Sequence, residues 1–223
     1  MNILEIKNLS VSLDGKPLLK DINMNVAAGG RHLLRGANGS GKTSLVMAIS
    51  GNPDYKTDGG KIIFDGADIT ALPAEMRART GIFTGAQNVP EIPGLSVASF
   101  LKHSFLSHNP KLAAGEFLER LIQARTKLDI PESWLGRSVN VGFSGGEKKR
   151  LMFLHLLLLR PRLAILDEPD SGADADAQKL FAKIITELNK NGTTFLVVSH
   201  QEKFMDMIGN TGITTLSDGK IVV

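Results

Sequence analysis

The chain has 223 residues, a formal net charge of +3 and no cysteine. This length suffices for one domain with an inserted lobe, and the lack of cysteine excludes disulfides and thiolate ligands from this chain. The charges are dispersed rather than gathered into a basic stripe, which argues against nucleic-acid binding. No apolar run is long enough to span a bilayer and the start does not resemble a signal peptide, so we expect a cytoplasmic protein with no direct membrane insertion.

The first stretch of the chain predicts a β-hairpin followed by a buried strand. Residues 3–9 alternate imperfectly between apolar and polar side chains, and Asp14-Gly15 makes a turn into a second run over 17–26. The chain then turns again, through Gly29-Gly30, into a strand that ends at Leu33-Leu34. Two antiparallel strands at this point predict a small β-layer beside a mainly parallel sheet.

A glycine-rich loop follows that strand and precedes an apolar helix pattern. It reads Gly36-Ala37-Asn38-Gly39-Ser40-Gly41-Lys42-Thr43. This fits the phosphate-loop pattern, in which glycines let several N–H groups point at one phosphate and the helix adds its positive end. Lys42 then reaches the β- and γ-phosphates, and the Thr43 hydroxyl is placed to hold Mg²⁺. The alternative is a plain glycine-rich turn, but the strand and helix around the loop favour a nucleoside triphosphate site that extends to Ser44.

The remaining pattern separates a helical stretch from an α/β core. The first helix ends at Gly51, a β-hairpin arm covers 61–66, a short helix covers 73–80, and a strand over 81–86 ends at Gln87. Helical spacing then recurs over 97–105, 116–128 and 146–159. The core resumes with a strand over 163–167, a helix over 174–190, a strand over 194–199, a last helix and a hairpin at Asp218-Gly219. We predict one domain, 1–223, with an α/β core in 1–87 and 161–223 and an inserted helical subdomain in 88–160.

Two acids follow the apolar strand of the core. Asp167 and Glu168 stand at the carboxyl end of that strand, where ligands sit in open α/β sheets. Asp167 is therefore a candidate for the Mg²⁺ shell, and Glu168 for the general base that polarises the attacking water. By itself such an acidic strand end is common; together with the phosphate loop it predicts nucleotide hydrolysis.

The order of further motifs resembles the ATP-binding-cassette (ABC) ATPases. Between the phosphate loop and the acidic strand end lie Gln87 and the segment Ser144-Gly145-Gly146-Glu147. After the acids come Ser171-Gly172-Ala173-Asp174 and a lone His200 behind a strand. These ordered motifs cover nearly the whole chain.

The resemblance implies a composite site in an ATP-dependent homodimer. Two cassettes pair head-to-tail, and the N-terminus of the helix that Ser144, Gly145 and Gly146 open binds the γ-phosphate held by the other copy. The resemblance also implies further roles: Glu168, His200 and Gln87 are catalytic, Thr43, Gln87 and Asp167 hold the metal, and Glu147 and Asp174 belong with the nucleotide-binding residues. ATP and Mg²⁺ are the implied cofactors.

Within this family, the loop after Glu168 resembles the ATPase subunits of the SUF iron–sulfur cluster assembly machinery. It reads Asp170-Ser171-Gly172-Ala173-Asp174-Ala175-Asp176-Ala177, where transporter cassettes generally have Thr-Ser-Gly-Leu-Asp. The ending Glu147-Lys148-Lys149-Arg150 and the string Pro90-Glu91-Ile92-Pro93-Gly94 point the same way. This resemblance implies SufB-like and SufD-like scaffold partners, or a SufB-like protein alone, contacted near 87–105.

Two residues of this chain differ from the usual family pattern. Ala173 replaces the usual Leu, and Leu13 stands where cassettes commonly stack adenine on an aromatic ring, which predicts weak nucleotide affinity or relaxed base choice.

The first alternative function is the ATPase subunit of a membrane transporter. The second is a non-enzymatic ATP-binding module, which the intact Lys42, Asp167, Glu168 and His200 disfavour.

Overall fold

In a computed structural model of the chain, residues 1–87, 89–108 and 114–222 are described. The strands are β1 (Asn2–Leu13), β2 (Lys16–Ala27), β3 (Arg31–Arg35), β4 (Tyr55–Phe64), β5 (Ala67–Asp68), β6 (Ile82–Gly85), β7 (Ile92–Ser96), β8 (Ser138–Val139), β9 (Leu163–Asp167), β10 (Thr194–Val198), β11 (Gly212–Ser217) and β12 (Lys220–Val222). The α-helices are α1 (Lys42–Ser50), α2 (Ala74–Arg79), α3 (Val97–His108), α4 (Ala114–Lys127), α5 (Gly145–Leu159), α6 (Ala175–Lys190) and α7 (Glu202–Ile208). A 3₁₀ helix covers Glu132–Gly136.

The antiparallel sheet has the strand order β2-β1-β4-β5. Leu4 pairs with Val26 and Val11 with Leu19, so the predicted hairpin is confirmed. Its turn uses Asp14 and Gly15, at φ 50° and 75°. Positive φ at both central turn residues matches the right-handed twist of the two strands, which explains why an Asp-Gly pair stands there.

The second sheet has the order β12-β11-β3-β10-β9-β6 and is parallel except for the β11–β12 pair. Every residue of β9 and β10 is buried, because helices cover both faces of these central strands. The predicted α/β fold with a neighbouring antiparallel sheet is confirmed.

The register of the central strands decides which residues meet at the edge of the sheet. Val198 of β10 pairs with Leu34 of β3 on one side and with Asp167 of β9 on the other. Gly85 of β6 pairs with Leu166 of β9. The carboxyl ends of β3, β10, β9 and β6 therefore lie side by side, and the segments that follow them share one edge.

The stretch predicted as a helical subdomain contains α3, α4, the 3₁₀ helix and α5 in its described part. These helices belong to the same hydrophobic cluster as one face of the parallel sheet. For example, Phe153 of α5 stacks on Phe181 of α6 with ring centroids 4.2 Å apart. The predicted subdomain boundaries at 88 and 160 stay a prediction. In the described residues, one apolar core contains both the helices α3, α4 and α5 and strands of the parallel sheet.

A two-stranded antiparallel sheet in this stretch was not predicted. Ile92 pairs with Val139, and Ser96 pairs with Ser138. The sheet ties the segment just after Gln87 to the segment just before α5. In the described part of the chain, no helix is both long and apolar enough to cross a membrane.

Candidate functional site

The loop after β3 has the conformation that its glycines predict. Gly36, Gly39 and Gly41 have φ of 148°, 79° and 105°, a region that other residues rarely adopt. A Cβ on Gly36 would overlap the carbonyl oxygen of Leu216, and one on Gly41 would lie 2.7 Å from Leu19 Cδ2. Glycine is therefore required at Gly36 for conformation and for space, and at Gly41 for conformation, because the Leu19 methyl group can move aside.

Lys42 fills the centre of this loop. Its Nζ donates to the carbonyl oxygens of Gly36 and Ala37, each at 2.9 Å. Burial lowers the pKa of Lys42, whereas the nearby carboxylates of Glu168 and Asp167 raise it. Ala37, Asn38 and Gly39, between these carbonyls and α1, are exposed to solvent. The loop therefore presents an open backbone around a buried ammonium group.

Thr43 and Asp167 meet where β3 and β9 end. The Thr43 hydroxyl donates to Asp167 Oδ2 at 3.0 Å. Asp167 is only 1% exposed, and its Oδ1 has no hydrogen-bond partner among the described residues. Burial raises the pKa of Asp167, against the hydrogen bond from Thr43. A hydroxyl beside a buried carboxylate with one free oxygen is a donor set that fits Mg²⁺, an ion that prefers oxygen ligands.

The Glu168 carboxylate lies between two of the predicted catalytic side chains. Gln87 Nε2 donates to Glu168 Oε2 at 2.7 Å, and His200 Nε2 lies 3.5 Å from Glu168 Oε1. Glu168 itself has φ 50°, an uncommon value for a residue with a side chain. Its N–H donates to the Val198 carbonyl at 2.9 Å. The structure thus brings Gln87, Glu168 and His200 into one cluster.

Lys149 also contacts this cluster. From the sequence, Lys148 and Lys149, just beyond the Ser144-Gly145-Gly146 segment, are both candidates to pair with Glu168, and a solvated basic helix start is the alternative. Lys149 is 8% exposed, and its Nζ donates to the main-chain oxygen of Glu168, rather than to its carboxylate, at 2.6 Å. Burial lowers the pKa of Lys149, whereas Asp167, Asp170 and Glu168 raise it. The neighbouring Lys148 points elsewhere and pairs with Glu91 at 3.0 Å.

The segment that opens α5 lies apart from the phosphate loop. Ser144 caps the helix: its hydroxyl accepts from the Glu147 N–H at 3.3 Å, and the Glu147 carboxylate accepts from the Ser144 N–H at 2.8 Å. This is a capping box, which satisfies two N–H groups at the start of the helix. Ser144 and Gly145 are exposed, and a Cβ on Gly145 would meet nothing within 4 Å.

Asp174 and Ser44 complete the predicted set. Asp174 is exposed and caps α6, its Oδ1 accepting from the Ala177 N–H at 2.8 Å. Ser44 lies half-buried in the first turn of α1. Within the described residues, no hydrogen bond joins residues 144–147 or Asp174 to the phosphate loop. One copy of the chain therefore brings Lys42, Thr43, Asp167, Glu168, Gln87 and His200 together and leaves the α5 and α6 starts facing outward.

Comparison with known proteins gives a consistent result. The family model described as ABC transporter matches residues 19–171. A "Probable ATP-dependent transporter slr0075" of Synechocystis is 42% identical over 99% of this chain and 88% of its own length. The "Iron-sulfur cluster assembly protein SufC" of Plasmodium falciparum is 37% identical over 99% of this chain and 65% of its own length. The solved dimeric cassette MJ0796 bound to ADP and Pi has a TM-score of 0.85 at 21% identity, covering 99% of this chain and 97% of that one.

Proposed function

Because this chain belongs to the ABC transporter family and has the cassette fold of its ATP-hydrolysing subunits, we propose that it is a SufC-like ATPase of iron–sulfur cluster assembly. The chain is an ABC-type ATPase that converts ATP and water to ADP and phosphate. In the proposed role it dimerises on ATP and drives a conformational change in a SufB/SufD-like scaffold in the cytoplasm. The observation that carries this role is the loop from Asp170 to Ala177, with its extra acidic residues, in a chain that is 37% identical to a SufC protein along nearly its whole length.

The proposed chemistry follows from the cluster at the carboxyl edge of the parallel sheet. Lys42 exchanges its two loop carbonyls for β- and γ-phosphate oxygens, which the surrounding N–H groups also bind. Thr43 and Asp167 would hold Mg²⁺ together with the side-chain oxygen of Gln87, and the ion would supply positive charge to the phosphates. Glu168 takes the proton of the attacking water. The Glu168 carboxylate is oriented by its contacts with His200 and Gln87.

The second half of the proposed site comes from another copy of the chain. Ser144, Gly145 and Gly146 begin a fifteen-residue helix whose first N–H groups and dipole favour a γ-phosphate. The exposure of Ser144 and Gly145 leaves room for that ligand. ATP bound between two copies joins them, and loss of the γ-phosphate lets them separate, which makes hydrolysis a two-state switch.

The proposed scaffold contact lies on a groove beside Gln87. A cavity of about 510 Å³ lies between the sheet edge at β6 and the helices α2, α3 and α5. Its lining includes Val89, Pro90, Ile92 and Phe100, which fall in the segment 87–105 expected to meet a partner. Gln87 lies at the start of this segment and donates to Glu168, so in the proposed role this hydrogen bond is where a docked scaffold would act on the catalytic carboxylate.

The second candidate function is the ATPase subunit of a membrane transporter. It is favoured by the name of the Synechocystis relative, a probable ATP-dependent transporter at 42% identity. Both functions use the same hydrolytic site. They differ in the partner, which is a soluble scaffold in one case and a polytopic membrane protein in the other.

Genetic complementation with an inactive variant tests the proposed function. In cells depleted of their own SUF ATPase, we expect the wild-type chain to restore the activity of an iron–sulfur enzyme and Glu168→Gln to fail. Glu202→Gln, an exposed acid in α7, is the matched control and should complement. Full complementation by Glu168→Gln would contradict the proposal, as would failure of the wild-type chain in the presence of its own scaffold genes.

A further inference from the structure

Asp170 is a buried acid that the proposed chemistry leaves without a task. It is 2% exposed and lies in the loop between β9 and α6. Its Oδ2 accepts a hydrogen bond from Ser199 Oγ at 2.8 Å, and its Oδ1 has no partner among the described residues. Burial raises the pKa of Asp170, and the Ser199 hydroxyl and the nearby charge of Lys149 offset only part of that cost. A function of the contact between Asp170 and Ser199 would explain why this cost is tolerated.

Ser199 holds the segment that carries His200. It directly follows β10, and its hydroxyl oxygen also accepts from the Gln201 N–H at 3.1 Å. The His200 side chain lies between these two anchored neighbours and is 40% exposed, with Glu168 Oε1 at 3.5 Å as its recorded polar contact. The direction of the imidazole therefore depends on how its two neighbours are fixed.

A second set of hydrogen bonds joins the same two loops. Gln178, in the second turn of α6, donates to Gln201 Oε1 and to the Ala173 carbonyl, each at 3.0 Å. The loop 170–174 and the segment 199–201 are thus connected through Asp170–Ser199 at one point and through Gln178–Gln201 at another. A long hydrogen bond from Gln201 Nε2 to the Asp170 carbonyl, at 3.5 Å, also joins them. The first connection is fully buried, whereas the second lies at the exposed edge of the site.

We propose that Asp170 is a positioning residue for ATP hydrolysis: through Ser199 it holds His200 in place against Glu168. This inference rests on the catalytic role proposed for His200 above. Among the described residues, no hydrogen bond joins the Asp170 side chain to His200 or Glu168. The charge of Asp170 interacts with those of Glu168 and Lys149, and its hydrogen bond to the Ser199 hydroxyl is what reaches the His200 segment. Loss of that hydroxyl frees the His200 segment at its buried anchor and leaves the phosphate loop untouched.

The test compares variants of the two partners by single-turnover hydrolysis with excess protein. Ser199→Ala removes the hydroxyl, and we expect kcat to fall about 10- to 100-fold, a loss typical of small misplacements at a reacting centre. The Kd for ATP should stay within about twofold, because the phosphate loop is unchanged. Asp170→Ala should match Ser199→Ala, whereas Asp170→Asn and Ser199→Thr retain the acceptor or the hydroxyl and should keep kcat within about threefold.

The His200→Ala background separates positioning from a merely structural role. If Ser199 acts through His200, Ser199→Ala should change the residual rate of His200→Ala by less than about twofold. Equal proportional losses in both backgrounds would overturn the inference, as would a wild-type kcat for Ser199→Ala. Ser10→Ala, which removes a hydroxyl that accepts from the Asp21 N–H in the antiparallel sheet, is the control for loss of one serine hydrogen bond. A wild-type rate for His200→Ala itself would instead contradict the proposed role of His200.

Discussion

At the scale of single residues, Gly36 is a position in the phosphate loop whose backbone leaves no room for a side chain. Its φ of 148° lies in a region that glycine alone adopts readily, and a Cβ would overlap the Leu216 carbonyl and lie 2.5 Å from Ser40 Oγ. Relief of this overlap requires the start of the loop to move away from β11. The N–H groups that follow would then leave the arrangement that a phosphate needs.

We therefore expect Gly36→Ala to lower the free energy of unfolding by roughly 2–5 kcal/mol and to abolish measurable ATP binding. Urea denaturation and equilibrium binding of a fluorescent ATP analogue measure the two effects. Gly29→Ala is the control, because Gly29 also has positive φ, at 70°, but has open space around its Cβ position. Gly29→Ala should lower the free energy of unfolding by about 1–2 kcal/mol and leave ATP binding unchanged. Similar results for the two variants would contradict this view of Gly36.

His155 makes stability depend on pH. It lies in α5 between the rings of Phe83 and Phe100, at centroid distances of 5.3 and 5.0 Å, with its Nε2 2.6 Å from Ser104 Oγ. Burial, with a smaller effect of the nearby His108, lowers the pKa of His155 to about 3. An unfolded histidine titrates near pH 6.5, so between these values the unfolded chain binds the extra proton.

The stability that His155 contributes is therefore complete above pH 6.5 and is lost as the pH falls toward 3. We expect the free energy of unfolding to drop by up to about 1.4 kcal/mol per pH unit from this residue between pH 6.5 and 5. In His155→Gln that part of the slope should vanish, and above pH 7.5 both proteins should show no slope from this position. Denaturation curves at four pH values measure this, and parallel pH profiles for the two proteins would count against it.

At the scale of secondary-structure elements, the side chain of Arg77 holds the end of α1. Its Nη1 donates to the carbonyl oxygens of Ala48 and Ile49, at 2.7 and 2.9 Å. Its Nε and Nη2 donate to the carbonyls of Leu72 and Thr70, at 2.8 and 2.7 Å. Carbonyls in the last turn of a helix lack partners within the helix and attract positive charge. Arg77 thus links α1, which follows the phosphate loop, to α2.

Arg77→Met should destabilise the chain by about 3–5 kcal/mol, because four main-chain oxygens lose a buried donor. Arg77→Lys should be more stable than Arg77→Met but less stable than the wild type, since one ammonium group cannot reproduce the geometry of a guanidinium. Thermal unfolding measures both, with Arg79→Met as the control on the exposed face of the same helix. A small and equal effect of the two methionine substitutions would show that the Arg77 contacts contribute little.

Elements and site contacts differed in how well the sequence predicted them. Glycine and proline signals placed the ends of α1 and α6 and the start of α2 correctly, whereas β4 begins at Tyr55, well before the predicted arm over 61–66. The β7–β8 sheet was missed because Ile92 and Val139 are far apart in the chain and neither segment alternates clearly.

The phosphate loop and the acidic strand end pointed to the cluster at the carboxyl edge of the parallel sheet. The sequence offered Lys148 and Lys149 equally as partners of Glu168, because the choice between them depends on how α5 packs against the end of β9. The Asp170 contact with Ser199 was missed because it depends on how closely the segments after β9 and β10 approach each other.

At the scale of the whole molecule, each hydrolytic site in the proposed mechanism is built from two copies of the chain. Gly145 offers a way to test this, because its Cβ position is open and its backbone conformation suits other residues. Gly145→Asp should fold, bind ATP and fail to hydrolyse it, since a carboxylate there repels the γ-phosphate of the other copy. Lys42→Ala should also fail to hydrolyse ATP. In this variant the α5 start is intact, but the phosphate loop has lost the ammonium group that binds the phosphates.

A mixture of these two inactive variants should regain activity. In a mixed dimer one site carries both defects, whereas the other combines the intact phosphate loop of Gly145→Asp with the intact α5 start of Lys42→Ala. With the two variants mixed in equal amounts, we expect about one quarter of the wild-type ATPase rate. Each variant alone is the control, and a mixture as inactive as its components would contradict a site shared between copies.

In the proposed function, this ATPase works on a soluble iron–sulfur scaffold. The ATPase rate of the purified chain with and without a co-expressed SufB-like protein, together with the mass of the complex from size-exclusion chromatography, tests this proposal. We expect a stable complex and a clearly raised rate, which Glu168→Gln abolishes without loss of the complex. Absence of a complex with this scaffold, together with specific binding to a polytopic membrane protein, would overturn the proposal and assign the chain to a transporter.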